Sequence, residues 1–208
     1  MADRQQYYVK SFPSYLPVTD RCYASRIGIV GAGGLGSNLA VILCRLGFTQ
    51  LIVADFDVVE PSNLNRQIYH YEQVGRPKVD ALKQIVVKLL PEIDLTTHLV
   101  KIDSDNIAQY FVNCAVVADC TDIAQNKSQI VEAVLTILFC PVVSVSGIGG
   151  RLTLDKLRCE RKFGDRLWVI GDQQSSDCIG IAAPAVVATA AAMAEAVYDI
   201  CRDQEERP

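Results

Sequence analysis

An α/β fold with a doubly wound, mostly parallel sheet and helices on both faces is what the sequence predicts, on three observations. Short apolar runs alternate with longer segments of helical spacing, the pattern of strands laid parallel by helical crossovers. A glycine-rich turn, Gly31-Ala32-Gly33-Gly34-Leu35-Gly36, follows the first run and opens the first helix. The second run ends in an acidic residue, Asp55, 24 positions after Gly31.

Residues 1–25 are mixed and aromatic, with Pro13 and Pro17, and read as a docking arm rather than a domain. Residues 26–30 form the first strand, Ser37 to Leu46 the first helix, and Gln50 to Ala54 the second strand. A polar loop runs from Asp57 to Arg76. Lys78 to Leu90 has helical spacing, with Val79, Leu82, Val86 and Leu89 on one face. A strand over 94–100, a helix over 104–112 and the strand Val116-Val117-Ala118, ending at Asp119, come next. A helix covers 125–137 and a strand runs from Pro141 to Val145. Leu152 to Arg161 and Leu167 to Ile170 read as extended strands near the sheet edge, and 183–202 as the last helix. No linker, repeat or low-complexity block interrupts this order, so residues 1–208 are read as one domain.

Composition narrows the function classes. With 208 residues, 50% of them hydrophobic, the chain is long enough for a substantial core. A net charge of -4 argues against a nucleic-acid groove, which needs a basic surface. The eight cysteines include no Cys-x-x-Cys pair, so no structural zinc is expected. Cys44, Cys114, Cys120 and Cys140 lie in apolar runs and read as small buried hydrophobes. The sequence opens with no signal peptide, which fits a reducing cytoplasm. The uncharged stretch from Cys178 to Ala194 is alanine-rich, contains Pro184 and soon reaches Glu195. It reads as a buried helix rather than a membrane span.

The glycine turn has a chemical meaning. Gly31, Gly33, Gly34 and Gly36 permit unusual backbone angles and let the main chain approach a phosphate. The following helix offers free N–H groups and a partial positive charge to that anion. Asp55 stands where a ribose hydroxyl is commonly bound. A nucleotide is therefore favoured over a bare tight turn, without a choice among NAD, FAD and ATP. On these features the chain reads as a Rossmann-like nucleotide-binding fold.

Further motifs follow: Asp57-Val-Val-Glu-Pro-Ser62-Asn63-Leu-Asn65-Arg66-Gln67, Gly75-Arg-Pro-Lys78 and Cys120-Thr121-Asp122. With the double-glycine turn, they strongly resemble the ThiF/MoeB/HesA family, which includes the adenylating domains of ubiquitin-activating enzymes. The likeness covers roughly residues 26–200 and is greatest to short ThiF-type proteins of thiamine synthesis. It implies ATP-dependent adenylylation of the C-terminal carboxylate of a ubiquitin-like, ThiS-like sulfur-carrier protein, with Mg²⁺ as cofactor and a homodimer as the assembly. Residues implied to touch nucleotide are the four glycines with Asp55, Asp57, Ser62, Asn63, Asn65, Arg66, Lys78, Thr121 and Asp122.

Chemistry supports the same residues. A carboxylate attacking ATP has an ordinary pKa of ~4, so it is already ionised at neutral pH and needs no strong base. The site must instead supply positive charge, alignment and stabilisation of departing pyrophosphate. Arg66 and Lys78 can do so, one by bidentate contacts and the other as a point charge. Asp122, just past a strand end, can hold Mg²⁺. Arg66 and Lys78 as plain surface charges, and Asn63 and Asn65 as loop-shaping residues, are the competing readings. Asp119 reads as a turn cap.

The likeness has gaps. The family's N-terminal Arg-Tyr-x-Arg-Gln segment is reduced to Arg4-Gln5. Its Cys-Thr-Asp-Asn stands here as Cys120-Thr121-Asp122-Ile123, and the basic residue five positions on is Lys127 rather than arginine. Cys178 aligns near a cysteine that handles thioester or acyl-disulfide chemistry in some relatives. Without further support it reads first as a loop thiol with no role. Three alternatives stay open: another carboxylate (a molybdopterin-type carrier, a peptide or tRNA), an NAD-dependent oxidoreductase, and a non-catalytic nucleotide-binding relative.

Overall fold

The computed structural model describes residues 24–122, 124–150, 154–175 and 180–205. Residues 1–23 of the N-terminal arm, including the Arg4-Gln5 remnant, and Cys178 lie outside the described residues. Strands β1 (Arg26–Val30), β2 (Gln50–Asp55), β3 (Asp94–Leu99), β4 (Val116–Asp119), β5 (Val142–Val145), β6 (Arg158–Lys162) and β7 (Leu167–Gly171) form one sheet. Its order is β3-β2-β1-β4-β5-β7-β6, parallel throughout except for the antiparallel edge pair β6/β7. The helices are α1 (Gly34–Leu46), α2 (Lys78–Leu89), α3 (Ile107–Phe111), α4 (Ala124–Ala133) and α5 (Ala183–Glu205).

The central strands are short, β-branched and buried on both sides, as a sheet covered by helices demands. Their side chains alternate between two cores. Ile27, Ile29, Val116, Ala118, Val143 and Val145 point to the core built with α1, α2 and α5. Val30, Val117 and Val142 point to the core built with α3 and α4. The predicted doubly wound α/β fold is thus the observed one.

Helix α5 supplies Ala185, Val186, Ala190, Met193, Ala194 and Val197 to the first core. Its length and composition would suit a membrane span, yet 61% of its apolar window is buried inside the fold. The same helix leaves Val187, Ala191 and Glu195 exposed.

One local expectation needs correction. Within the span 152–161 read as a strand, Leu154–Lys156 is a 3-10 turn and the strand runs Arg158–Lys162. Leu167–Gly171 lies near the edge as expected, between β5 and the edge strand β6. The charged side chains of Arg158, Glu160, Arg161 and Lys162 suit an exposed edge, and every residue of β6 is exposed. The α4 segment continues as a π-helical turn, Val134–Leu138, ending at Phe139 in the left-handed region.

What positions the site is the reversal of strand order at β1. Val30 pairs with Ala54 of β2 on one side and Asp119 of β4 on the other. The two connections leave the sheet in opposite directions, opening a crevice above the carboxyl ends of the strands.

Candidate active site at the switch point

A cavity of about 540 Å³ occupies this crevice. Its floor is the glycine turn. Gly31 sits at φ +95°, and a Cβ there would lie 3.0 Å from the Cys120 carbonyl oxygen, so β1 and β4 approach closely only through glycine. A Cβ on Gly36 would collide with the Gly31 carbonyl oxygen. Helix α1 can therefore fold back onto the turn only with glycine at 36.

Side chains hold the turn from two sides. The Ala32 N–H donates to Asp55 Oδ2 at 2.6 Å, and the Tyr69 hydroxyl donates to the Ala32 carbonyl at 2.6 Å. Asp55 Oδ1 also accepts from the Asp57 N–H at 2.7 Å. Burial and the neighbouring Asp55 carboxylate push the Tyr69 phenol well above its usual range, so it stays a neutral donor. Helix α1 begins with no side-chain cap and no acidic residue in its first turn. Gly33, Gly34 and Leu35 line the cavity, so uncapped N–H groups lend it partial positive charge.

The polar loop after β2 folds into two 3-10 turns, Pro61–Asn63 and Tyr71–Gln73. Buried Asn63 accepts the Glu60 N–H on its side-chain oxygen at 3.1 Å. Asn38 of α1 donates to the Gly34 carbonyl at 2.7 Å and the Arg66 carbonyl at 3.0 Å, tying the loop to the helix. Arg66 Nη1 donates to the Ser62 carbonyl at 2.9 Å and Asn65 Oδ1 at 2.8 Å. Lys78, first residue of α2, is buried and pairs with Asp57 Oδ2 at 2.7 Å. Gln67 lines the cavity, and its buried side-chain oxygen has no hydrogen-bond partner.

Gly31, Gly33, Gly34, Asp55, Asp57, Asn63, Arg66, Lys78, Thr121 and Asp122 all line this one cavity, though they come from four separate stretches of sequence. Gly36, Ser62 and Asn65 stand outside the lining. The first shapes the turn, and the other two hold the Arg66 guanidinium. Asp119 is fully buried and accepts from Thr121 N–H at 3.1 Å, Thr121 Oγ1 at 2.6 Å and Ser144 Oγ at 2.7 Å. It caps the turn that carries Asp122, as expected, and it also faces Lys127 Nζ at 3.4 Å.

The site has further residues that sequence reasoning missed. Tyr69, which supports the turn from behind rather than lining the cavity, was detectable as a tyrosine whose hydroxyl must find a partner. Phe56, with the Lys101 ammonium 5.8 Å above its ring, lines the β2–β3 side. The lining residues Lys101 and Ile102, and Asn38, which ties the loop to α1, carry no motif that would have marked them.

Among the described residues no group of three or more His, Cys, Asp or Glu is placed to hold a metal. A Mg²⁺ brought in by nucleotide phosphates needs only one or two protein carboxylates, and exposed Asp122 fits that demand. The uncapped helix terminus, the basic residues and the unpartnered Gln67 oxygen likewise fit a nucleoside triphosphate.

A parallel sheet with a glycine turn at its switch point, two basic side chains and an acid beyond β4 defines a nucleotide-binding α/β protein equipped for phosphate chemistry. The chain belongs to the ThiF family, whose profile matches residues 11–205. It is 38% identical over 133 residues to the adenylyltransferase and sulfurtransferase UBA4 of Saccharomyces cerevisiae, covering 62% of this chain and 30% of that one. It thus spans less than a third of the length of UBA4. With the sulfur carrier protein ThiS adenylyltransferase of Escherichia coli it shares 32% identity over 167 residues, 78% of this chain and 66% of the other. The E. coli tRNA N6-threonylcarbamoyladenosine dehydratase TcdA, solved with ATP, has the same fold. Its TM-score is 0.84 at 20% identity, over 100% of this chain and 98% of that one.

Proposed function

We propose that this protein uses ATP to activate a carboxylate as an acyl-adenylate, releasing pyrophosphate. The observation that carries the proposal is the convergence, in one cavity, of the uncapped α1 terminus, Arg66, Lys78 and Asp122. ATP supplies an electrophilic α-phosphorus and a leaving group. In this reading the glycine turn holds the phosphates, Asp55 orients the ribose, and Asp122 holds Mg²⁺. Arg66 and Lys78 would exchange their present partners for phosphate oxygens, a change from one set of charge-assisted contacts to another.

The proposed acceptor is the C-terminal carboxylate of a polypeptide: a small carrier protein or a peptide, with no narrowing to a ThiS-like carrier. It draws support from the sequence relatives. These include the ThiS adenylyltransferase of E. coli and the adenylyltransferase and sulfurtransferase UBA4. A carboxyl group on tRNA is the second reading, favoured by the end-to-end correspondence with TcdA, which is a correspondence of fold. The net charge of -4 favours the polypeptide. A homodimer, with the exposed stripe of α5 contributing, belongs to the same proposal.

MgATP should raise the melting temperature and NAD should not; equal stabilisation by NAD would sink the nucleotide assignment. Pyrophosphate exchange should then appear with a carrier protein or peptide and not with tRNA. Exchange with tRNA alone would move the acceptor to the second reading.

A further inference from the structure

Lys127 stands in the first turn of α4, where the helix dipole disfavours a cation. Its side chain is only 20% exposed, yet it lines the cavity. Two costs are thus accepted to place an ammonium there. Asp119 offsets them as a fully buried carboxylate 3.4 Å away. That separation exceeds the about 2.7–2.9 Å of a tight charge-assisted bond. Both Asp119 oxygens already accept hydrogen bonds from Thr121 and Ser144. Lys127 is therefore charge-balanced but not consumed, and its three donors are not all used by Asp119.

The other basic groups sit differently. Lys78 is locked to Asp57 at 2.7 Å, and Arg66 Nη1 serves two acceptors. Both belong to the wall formed by α1, α2 and the loop after β2. Lys127 belongs to the opposite wall, beside β4 and β5. Displacement at a phosphorus proceeds in line, with attacking and leaving oxygens on opposite sides. If Arg66 and Lys78 take the leaving pyrophosphate, the attacking carboxylate enters from the side where Lys127 stands.

We infer that Lys127, balanced by Asp119, receives the C-terminal carboxylate of the acceptor and cancels its repulsion by the nucleotide phosphates. The inference rests on the proposed adenylylation. One carboxylate oxygen bonds to the α-phosphorus as the bond to the pyrophosphate oxygen breaks, and no proton or electron is exchanged. Asp119 is a positioning residue here, since it acts through Lys127.

The test uses the full chain saturated with a non-hydrolysable ATP analogue and Mg²⁺. A synthetic peptide ending in Gly-Gly carboxylate is added, with the same peptide amidated as control. In the wild type the free carboxylate should shift the Lys127 side-chain NMR signals and the amide should not. Lys127→Met should weaken peptide binding roughly tenfold or more, the scale of a lost charge-assisted hydrogen bond, while changing analogue affinity less than about threefold. Lys127→Arg should restore most of the peptide affinity. It also serves if Lys127→Met fails to fold with Asp119 left unpaired. Unshifted Lys127 signals, or a Lys127→Met loss confined to the analogue, overturn the inference. So does binding of N6-threonylcarbamoyladenosine in place of the peptide. A wild type that fails to bind the analogue marks failure of the nucleotide reading instead.

Discussion

Asp55 Oδ2 accepts the backbone N–H of Ala32 at 2.6 Å. The acid at the end of β2 is thus part of the glycine turn's scaffold before any ligand arrives. Asp55→Ala removes this bond and the one from Asp57 N–H, leaving a buried amide without its acceptor. Stability should fall by about 1–3 kcal/mol, the cost of an unsatisfied buried donor. Nucleotide affinity should fall at least tenfold. Urea denaturation and calorimetric ATP titration read the two effects, and unchanged ATP affinity would remove Asp55 from the site.

Glycines 36 and 75 make a contrasting pair. A Cβ at Gly36 overlaps the Gly31 carbonyl oxygen, whereas a Cβ at Gly75 meets nothing within 4 Å but must adopt φ +86°. Gly75→Ala should cost about 1–2 kcal/mol, from backbone strain alone. Gly36→Ala should cost more, about 2–4 kcal/mol, and should abolish the nucleotide-induced rise in melting temperature as well. Equal losses in denaturation midpoint for the two variants would mean that α1 can shift away from the turn.

Burial pushes the thiols of Cys44 and Cys114 up to about 12 and that of Cys140 to about 11, from an ordinary value of 9.0. Such thiols hold their protons more tightly in the folded chain than in the unfolded one. Stability is therefore unaffected by them below pH 9 and falls as pH rises from about 9 towards 12. Tyr69 acts in the same direction, from its usual value of 10.0 upward. The denaturation midpoint should decline across that alkaline window. Among the described cysteines Cys159 is exposed, so alkylation of the native protein near pH 8 should mark it well before the buried ones.

The fold was legible because its signals are local and repeated: an apolar strand, a glycine turn, a helix, an acidic strand end. The lining was legible where it coincided with motifs, as at Asn63, Arg66, Lys78 and Asp122. Contacts that depend on two distant segments meeting were not. Tyr69 reaches Ala32 across 37 positions, and Ser144 reaches Asp119 across 25. Neither distance leaves a periodicity or spacing to read. Lys127 shows the middle case. Its departure from arginine was visible in the sequence, but its meaning came from the buried Asp119 facing it.

Binding and chemistry should separate at Asp122. This acid lies just beyond β4, exposed at the cavity, on a turn that Asp119 fixes through Thr121. A turn held by a buried carboxylate keeps its shape when the neighbouring side chain is truncated, so Asp122→Ala should fold as the wild type does. In the proposed reading it loses a Mg²⁺ ligand, and that ligand matters most as charge moves from the α-phosphate onto departing pyrophosphate. An interaction stronger in the transition state than in the ground state lowers turnover more than affinity when removed. ATP binding should weaken by less than ~10-fold while adenylylation falls by ~10²-fold or more, the scale of losing one electrostatic stabiliser. Lys78→Ala should behave similarly, because its present partner, Asp57, is half exposed and can return to water. Asp55→Ala should do the reverse and act chiefly on affinity. Pyrophosphate exchange with an acceptor that supports it in the wild type, alongside calorimetric ATP binding, distinguishes the three variants. Exchange at the wild-type rate by Asp122→Ala would leave Asp122 as a turn residue and remove Mg²⁺ from this side of the cavity.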